Sequence, residues 1–428
     1  MLDEVLDKVR RILREHPLCD ACLGRLFGLM GYGLSNRDRG RALKTLLLMT
    51  AYNPRDGVVD GDLLVSLCES GFEPAIRLAE KEGINYCPVT CYLCGGLVSR
   101  VGEIAERSLR KALEYEFSTF QVGCHLPDEI VRREEELWTR YGLTLPESLR
   151  NELTREIGKV FQEISGKEYS TDPELVIIYD AERDEVEVQP KPLFIYGRYR
   201  KLVRGLPQNP WPYRDERIKY DTSIEELITA PILRATGGTS AKFHGAGRED
   251  IDVRTLGNGR PFIVEVRAPR RRRVDLAALE KTINEGSRGL IEVYGLRFTD
   301  REHVSKIKAL AELARKTYRA LVRFEGRVSD KELRSLEETF RNLVVKQRTP
   351  TRVLHRRPDK VRNKVVYSLR ARRLDGDLVE FVIECQGGLY VKELIHGDGG
   401  RTTPNISELI GKRPVSIELD VIGVEEVL

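Results

Sequence analysis

The segment Gly247-Arg248-Glu249-Asp250 sets a carboxylate among glycines and arginines, in a run that continues through Ile251 and Asp252 to Gly257, Gly259 and Arg260. The run ends at the mouth of an apolar stretch, Pro261-Phe262-Ile263-Val264-Glu265-Val266, which reads as a strand. Its glycines make the segment a loop, and a packed core has no use for an acid there. Such a loop suits a reactive acid held beside a polyanion. Asp250 is the candidate reactive group, with Asp252 a second acid in the same loop.

Two further constellations can do chemistry. Cys19-Asp-Ala-Cys22 and Cys91-Tyr-Leu-Cys94 are Cys-x-x-Cys turns, each able to give two thiolates to one tetrahedral zinc. Their long separation is no obstacle, because closure entropy grows slowly with loop length. Cys87 makes a fifth thiol for four places, Cys124-His125 is a spare pair, and reduced cysteines without metal are the plain alternative. A four-cysteine site would be structural, since four protein ligands leave no open position. Basic residues cluster three times in the C-terminal half. The first cluster is Arg270, Arg271, Arg272 and Arg273; the second spans residues 348–364, with seven Lys or Arg against one acid; the third is Arg370, Arg372 and Arg373. Arg352, His355, Arg356, Arg357, Lys360 and Arg362 lie in the second of these. Together the clusters point to a phosphate backbone as partner.

The elements that carry these residues follow from periodicity. The chain's 428 residues suffice for two or three domains. Its 71 Lys and Arg against 67 Asp and Glu leave a net charge of +4, so the location of charge decides the partners. No apolar run reaches the roughly eighteen residues needed to span a bilayer. The acidic amphipathic start, Met1-Leu2-Asp3-Glu4-Val5, argues against a signal peptide and for a cytoplasmic protein. Apolar spacing predicts helices over 2–14, 38–51, 60–70, 101–115, 128–141 and 148–164, a strand over 117–123, and a hairpin over 174–180 and 185–190. A third short strand is expected at 192–199. Prolines and glycine in Gly205-Leu206-Pro207-Gln208-Asn209-Pro210-Trp211-Pro212 mark the expected boundary between domains 1–205 and 206–428. Beyond it, strands are expected at 241–245, 261–268, 289–297, 316–324, 341–347, 363–373, 378–385 and 413–420. Helices are expected at 222–235, 275–285, 301–314, 329–340 and 405–411. This is an α+β domain around a mixed, largely antiparallel sheet.

Three segments in this half resemble, in chain order, the motifs of pseudouridine synthases. Gly247-Arg248-Glu249-Asp250 resembles the Gly-Arg-x-Asp loop of the catalytic aspartate. Lys316-Thr317-Tyr318-Arg319-Ala320-Leu321-Val322 resembles the strand that bears the active-site tyrosine, and Gly388-Leu389-Tyr390-Val391-Lys392-Glu393-Leu394 the strand with a basic residue. The segments Arg352-Val-Leu-His-Arg-Arg-Pro358 and His396-Gly-Asp-Gly-Gly-Arg-Thr-Thr-Pro-Asn405 are similar to signatures of one branch, the archaeal and eukaryotic tRNA pseudouridine synthases with an N-terminal zinc and THUMP module. The resemblance implies isomerisation of uridines 54 and 55 in the tRNA T-arm, a structural zinc on Cys19, Cys22, Cys91 and Cys94, and no organic cofactor. It implies tRNA as the partner; no membrane or obligate protein partner is evident.

In that chemistry Asp250 would attack the sugar C1′ or remove the C2′ proton, and Lys392 would hold it ionised as its ion-pair partner. Tyr318 would stack on the uracil, Tyr390 would border the pocket and Leu394 would wall it. Arg248 would fill the space left by a flipped base. A rival reading is a zinc- and THUMP-bearing tRNA-binding protein or chaperone without activity. Intact Asp250, Tyr318 and Lys392 speak against it.

Overall fold

The structure, a computed structural model, describes residues 2–28, 30–211, 220–355 and 357–425. It divides into two compact units, Met1–Lys191 and Pro192–Leu428. The division precedes the Leu193–Lys201 strand, where the prolines had put it later. That strand pairs on one side with Arg254–Arg267 and on the other with Ile291–Thr299, so it belongs to the second unit. The Gly- and Pro-rich segment from Gly205 therefore lies inside that unit, and its last residue, Pro212, lies outside the described residues.

The first unit opens with helix Leu2–Glu15, which buries Val9, Ile12 and Leu13 on one face. Helices Asp20–Arg25 and Asn36–Ala51 cross at Gly24 and Gly40. A Cβ on either glycine would collide with a backbone carbonyl of the other helix, that of Asn36 or of Asp20. A four-stranded sheet follows in the order Glu168–Tyr169, Thr119–His125, Leu175–Asp180, Glu185–Pro190. The second and third of these run parallel, as a crossover through helices Asp128–Arg140 and Leu149–Ser165 requires. The last two form the expected antiparallel hairpin. Phe120, Phe161, Ile177 and Tyr179 are fully buried beneath the sheet's helical cover.

The second unit is built on a 10-stranded sheet. Its order is Ile291–Thr299, Leu193–Lys201, Arg254–Arg267, Pro414–Val424, Arg315–Phe324, Leu378–Gln386, Val361–Arg373, Leu343–Arg348 and Thr402–Thr403, with Ser240–Gly245 pairing beside Arg254–Arg267. Every neighbouring pair is antiparallel except Arg254–Arg267 with Pro414–Val424. The sheet is mixed and largely antiparallel, as the sequence implied. Strand alternation puts Lys316, Tyr318, Ala320, Val322 and Phe324 on one face, and the last three belong to the core. The Gly388–Leu394 segment is not a strand: after a turn it forms the short helix Val391–His396. No helix among the described residues is long and apolar enough to cross a membrane.

Candidate active site

The loop that carries Asp250 is held from beneath. Glu249 is buried, and its carboxylate lies 2.7 Å from Arg260 Nε, with both side chains 1% exposed. The angle is wrong for a hydrogen bond, so this contact is an ion pair. The Tyr199 hydroxyl lies 2.9 and 3.0 Å from the Glu249 oxygens, donating to that carboxylate, and Arg260 Nη1 donates to the Ala246 carbonyl at 2.8 Å. Lys201 Nζ donates to the carbonyls of Asp250 and Ile251 at 3.1 and 2.8 Å. Burial pushes this ammonium down to about 8. Gln208 donates to the Gly247 carbonyl at 3.0 Å, and the Gly205 amide to that of Ile251 at 2.9 Å. The segment that read as a linker is thus a buttress. Gly247 has φ +83°, and a Cβ there would come within 3.1 Å of Lys316 Nζ, so only glycine fits without strain.

The Asp250 side chain faces a cleft of about 370 Å³, lined also by Arg248, Tyr318, Arg352, Arg357, Tyr390 and Lys392. Arg352 Nη1 donates to Asp250 Oδ1 at 2.9 Å, while its Nε donates at 2.6 Å to Glu393, whose carboxylate is 1% exposed. Lys392 Nζ stands 3.9 Å from Asp250 Oδ2 but 2.6 Å from Asp252 Oδ2. Burial opposes ionisation of Asp252, and the hydrogen bonds from Lys392 overcome it, leaving its pKa below the ordinary value. The nearer counter-charge of Asp250 is therefore Arg352, which the sequence had grouped with the RNA-binding residues. Sequence proximity cannot show a pairing across 102 residues.

Tyr318 lines the cleft, and burial pushes its hydroxyl well above the usual tyrosine value. The Tyr390 hydroxyl accepts from Arg357 Nη1 at 3.1 Å. Leu394 is fully buried in the core behind the cleft and does not line it; Val253, Leu389, Val391 and Val421 supply the apolar wall. Arg248 is exposed at the cleft with no ion pair among the described residues. Arg362 donates to Thr349 Oγ1 at 3.1 Å, and His355 and Lys360 are exposed. Arg356 lies outside the described residues.

Arg270, Arg271, Arg272 and Arg273 follow the Arg254–Arg267 strand, and none of them lines the cleft. The cluster expected to bind RNA thus stands apart from the cleft that Asp250 lines. Its members also differ in exposure: Arg270, Arg271 and Arg273 are exposed, whereas Arg272 is half-buried and offers less surface to a phosphate than the sequence implied. The irregular chain after the strand turns successive side chains differently, which a run of four identical residues cannot reveal. Arg271 donates to the Arg234 carbonyl at 3.1 Å. No local pattern marked Lys201, whose partners are distant in the chain, and Arg260 and Lys316 stood in the quoted segments without a role of their own.

In the first unit the Cys19, Cys22, Cys91 and Cys94 sulfurs lie within 4.8 Å of one another. Cys19 Sγ and Cys94 Sγ are 3.9 Å apart, and metal–sulfur bonds of about 2.3 Å in a tetrahedron would set sulfurs about 3.8 Å apart. Hydrogen bonds from Cys19, Cys22 and Cys94 hold the Cys91 thiol far below its usual value, and the bond to Cys19 pushes Cys22 far above it. Thiols packed to share protons in this way are a donor set that fits a metal ion. Cys87 is exposed and outside the group.

Residues 194–425 match the family described as Pus10, C-terminal, and residues 104–180 the Pus10 THUMP domain, archaeal. A tRNA pseudouridine synthase Pus10 from Thermofilum pendens is 55% identical over 424 residues, covering 98% of this chain and 96% of that protein. The proteins of the same name from Methanothrix thermoacetophila and Pyrococcus furiosus are 40% and 39% identical, each over 98% of this chain and over 94% and 98% of their own lengths. The chain belongs to the Pus10 family of tRNA pseudouridine synthases.

Proposed function

We propose that this chain converts uridines 54 and 55 of the tRNA T-arm to pseudouridine, with Asp250 as the reacting acid. One observation carries the reading: an aspartate on a buttressed loop faces a cleft, its Oδ1 bound by Arg352 while Oδ2 accepts no hydrogen bond among the described residues. The guanidinium supplies the counter-charge on one side, and the open oxygen faces the substrate. Asp250 attacks C1′, or takes the C2′ proton, as the N1–C1′ bond breaks and positive charge develops on the sugar. The uracil turns and rejoins C1′ through C5. Tyr318 stays protonated, so it serves as a stacking wall rather than a base.

The target uridine must leave its stack to reach the cleft. Arg248 fills the vacated space. Arg357, His355, Lys360 and Arg362 meet phosphates near the cleft, and Arg270, Arg271, Arg272 and Arg273 meet them farther along the RNA, Arg272 being the least accessible of the four. Zinc in the four-cysteine site gives structural cross-linking of the first unit, with Cys19, Cys22, Cys91 and Cys94 as its ligands. The test is to map pseudouridines in a tRNA transcript after incubation with purified protein, wild type and Asp250→Asn. Product at 54 and 55 from wild type alone is expected. A wild type that binds tRNA but forms none supports the binding-protein reading, and an active Asp250→Asn removes Asp250 from the chemistry.

A further inference from the structure

Lys316 is 6% exposed, on the strand face it shares with core residues Ala320, Val322 and Phe324. An ammonium placed there without a carboxylate is costly. Among the described residues it has no ion pair and no side-chain hydrogen bond. The groups around it come from every neighbouring element. Arg260 stands on the strand Arg254–Arg267, Glu249 and Asp250 on the loop, Cys385 on Leu378–Gln386, and Lys364 on Val361–Arg373. Lys308 and Glu312 line the same cleft. Arg260 already holds Glu249 at 2.7 Å and Arg352 holds Asp250, and the exposed Glu312 makes no ion pair with Lys316 among the described residues. Burial first, then the nearby Arg260 charge, push its ammonium down to about 7. Near neutral pH a large share is free amine.

The proposed reaction lacks a group for one step. Once C5 of the uracil has bonded to C1′, that carbon still holds its hydrogen, and a base must remove it. Tyr318 is held protonated and Lys392 is engaged by Asp252. Lys316 stands two residues from Tyr318 on the same face, a spacing of about 7 Å that matches a pyrimidine ring and a hydrogen bond.

We propose that Lys316 is the general base that takes the C5 proton, an inference that rests on the pseudouridine reading. The amine lone pair accepts the proton, the C5–H electrons restore the C5–C6 double bond, and the negative charge passes to N1. N1 then takes a proton, from the lysine ammonium or from water, and the amine is regenerated. Gly247 gives the amine its place, since any Cβ there would press on Nζ.

The test measures single-turnover pseudouridine formation by wild type, Lys316→Met and Lys316→Arg on tRNA with ordinary and C5-deuterated uridine. Both variants should lose about a hundredfold or more in rate while binding tRNA as wild type does, and should show a primary deuterium effect at least as large as wild type's, since proton removal limits the rate in all three. The wild-type rate should rise with pH through about 7, where the protonated amine gives way to the free base, and the variants should lack that limb. Arginine, always charged, must fail to rescue; rescue by arginine would assign Lys316 a purely electrostatic role and overturn the proposal. So would an active Lys316→Met, a limb retained in it, or slow variants without an isotope effect. A wild type that makes no pseudouridine sinks the proposed function, and the role of Lys316 with it. The wild-type pH profile stands whether or not either variant folds, and a profile flat through this range also overturns the proposal.

Discussion

Arg260→Met tests whether the loop is held by a buried ion pair. Both side chains of the Glu249–Arg260 pair are 1% exposed and 2.7 Å apart. Removing the guanidinium leaves a carboxylate buried without its counter-charge, which costs about 3–5 kcal/mol. Two features push the value toward the lower end and one toward the higher. The Tyr199 hydroxyl still donates to Glu249, and Met fills much of the volume. The bond from Arg260 Nη1 to the Ala246 carbonyl is lost as well. For a unit of this size about 3 kcal/mol corresponds to a fall of roughly 10 °C in melting temperature. Calorimetry of the full chain reads it as a shift of the second unit's transition alone. The double variant Glu249→Gln with Arg260→Met removes both charges and should recover about 2 kcal/mol of the loss. A single-variant cost under about 1 kcal/mol, or a double variant as unstable as the sum of the singles, would refute the ion pair as the loop's anchor.

Arg352→Ala should slow single-turnover pseudouridine formation more than Lys392→Ala does, because Arg352 reaches Asp250 at 2.9 Å and Lys392 only at 3.9 Å. The reverse order would return the counter-charge to Lys392. Cys91→Ser should lose bound metal and lower the melting temperature of the first unit, while Cys87→Ser keeps both, since Cys87 stands outside the cluster. Metal analysis of the purified variants decides it, and metal lost with Cys87 would put that thiol back among the ligands.

How much of this was legible in the sequence depended on range. Strand alternation is local, so the Arg315–Phe324, Val361–Arg373 and Leu378–Gln386 strands came within a few residues of their expected limits. The Leu193–Lys201 strand was visible, but its partners lie far along the chain, and no local pattern told which unit would claim it. Proline and glycine mark a linker and a buttress alike: both lack regular hydrogen bonding, and only the Gln208 and Gly205 contacts separate the two. The six-residue helix Val391–His396 is too short to show a period, and it turns Leu394 into the core and leaves the cleft wall to Leu389 and Val391. The four cysteines were readable because their spacing is itself the chemistry. The fifth, Cys87, could be set aside only in three dimensions.

The cleft's cations divide by what anchors them. Seven Lys or Arg and three acids line it, a positive excess matching the +4 of the whole chain, although the cleft engages few of its residues. An incoming phosphate backbone competes for those of these cations that solvent reaches, which excludes the buried Arg260 and Lys316. Arg352 resists that competition, because the buried Glu393 clamps its Nε at 2.6 Å while the other end of the guanidinium holds Asp250. Among the described residues the Arg357 side chain is held only by the Tyr390 hydroxyl, and Arg248 by no ion pair. The two arginines open to an RNA phosphate are thus not the one that holds Asp250. On the proposed reading, a second acid on the arginine lets substrate bind through charge without taking Arg352 from Asp250. Asp252 does the same for Lys392, holding it at 2.6 Å and leaving it 3.9 Å from Asp250, too far to block Oδ2.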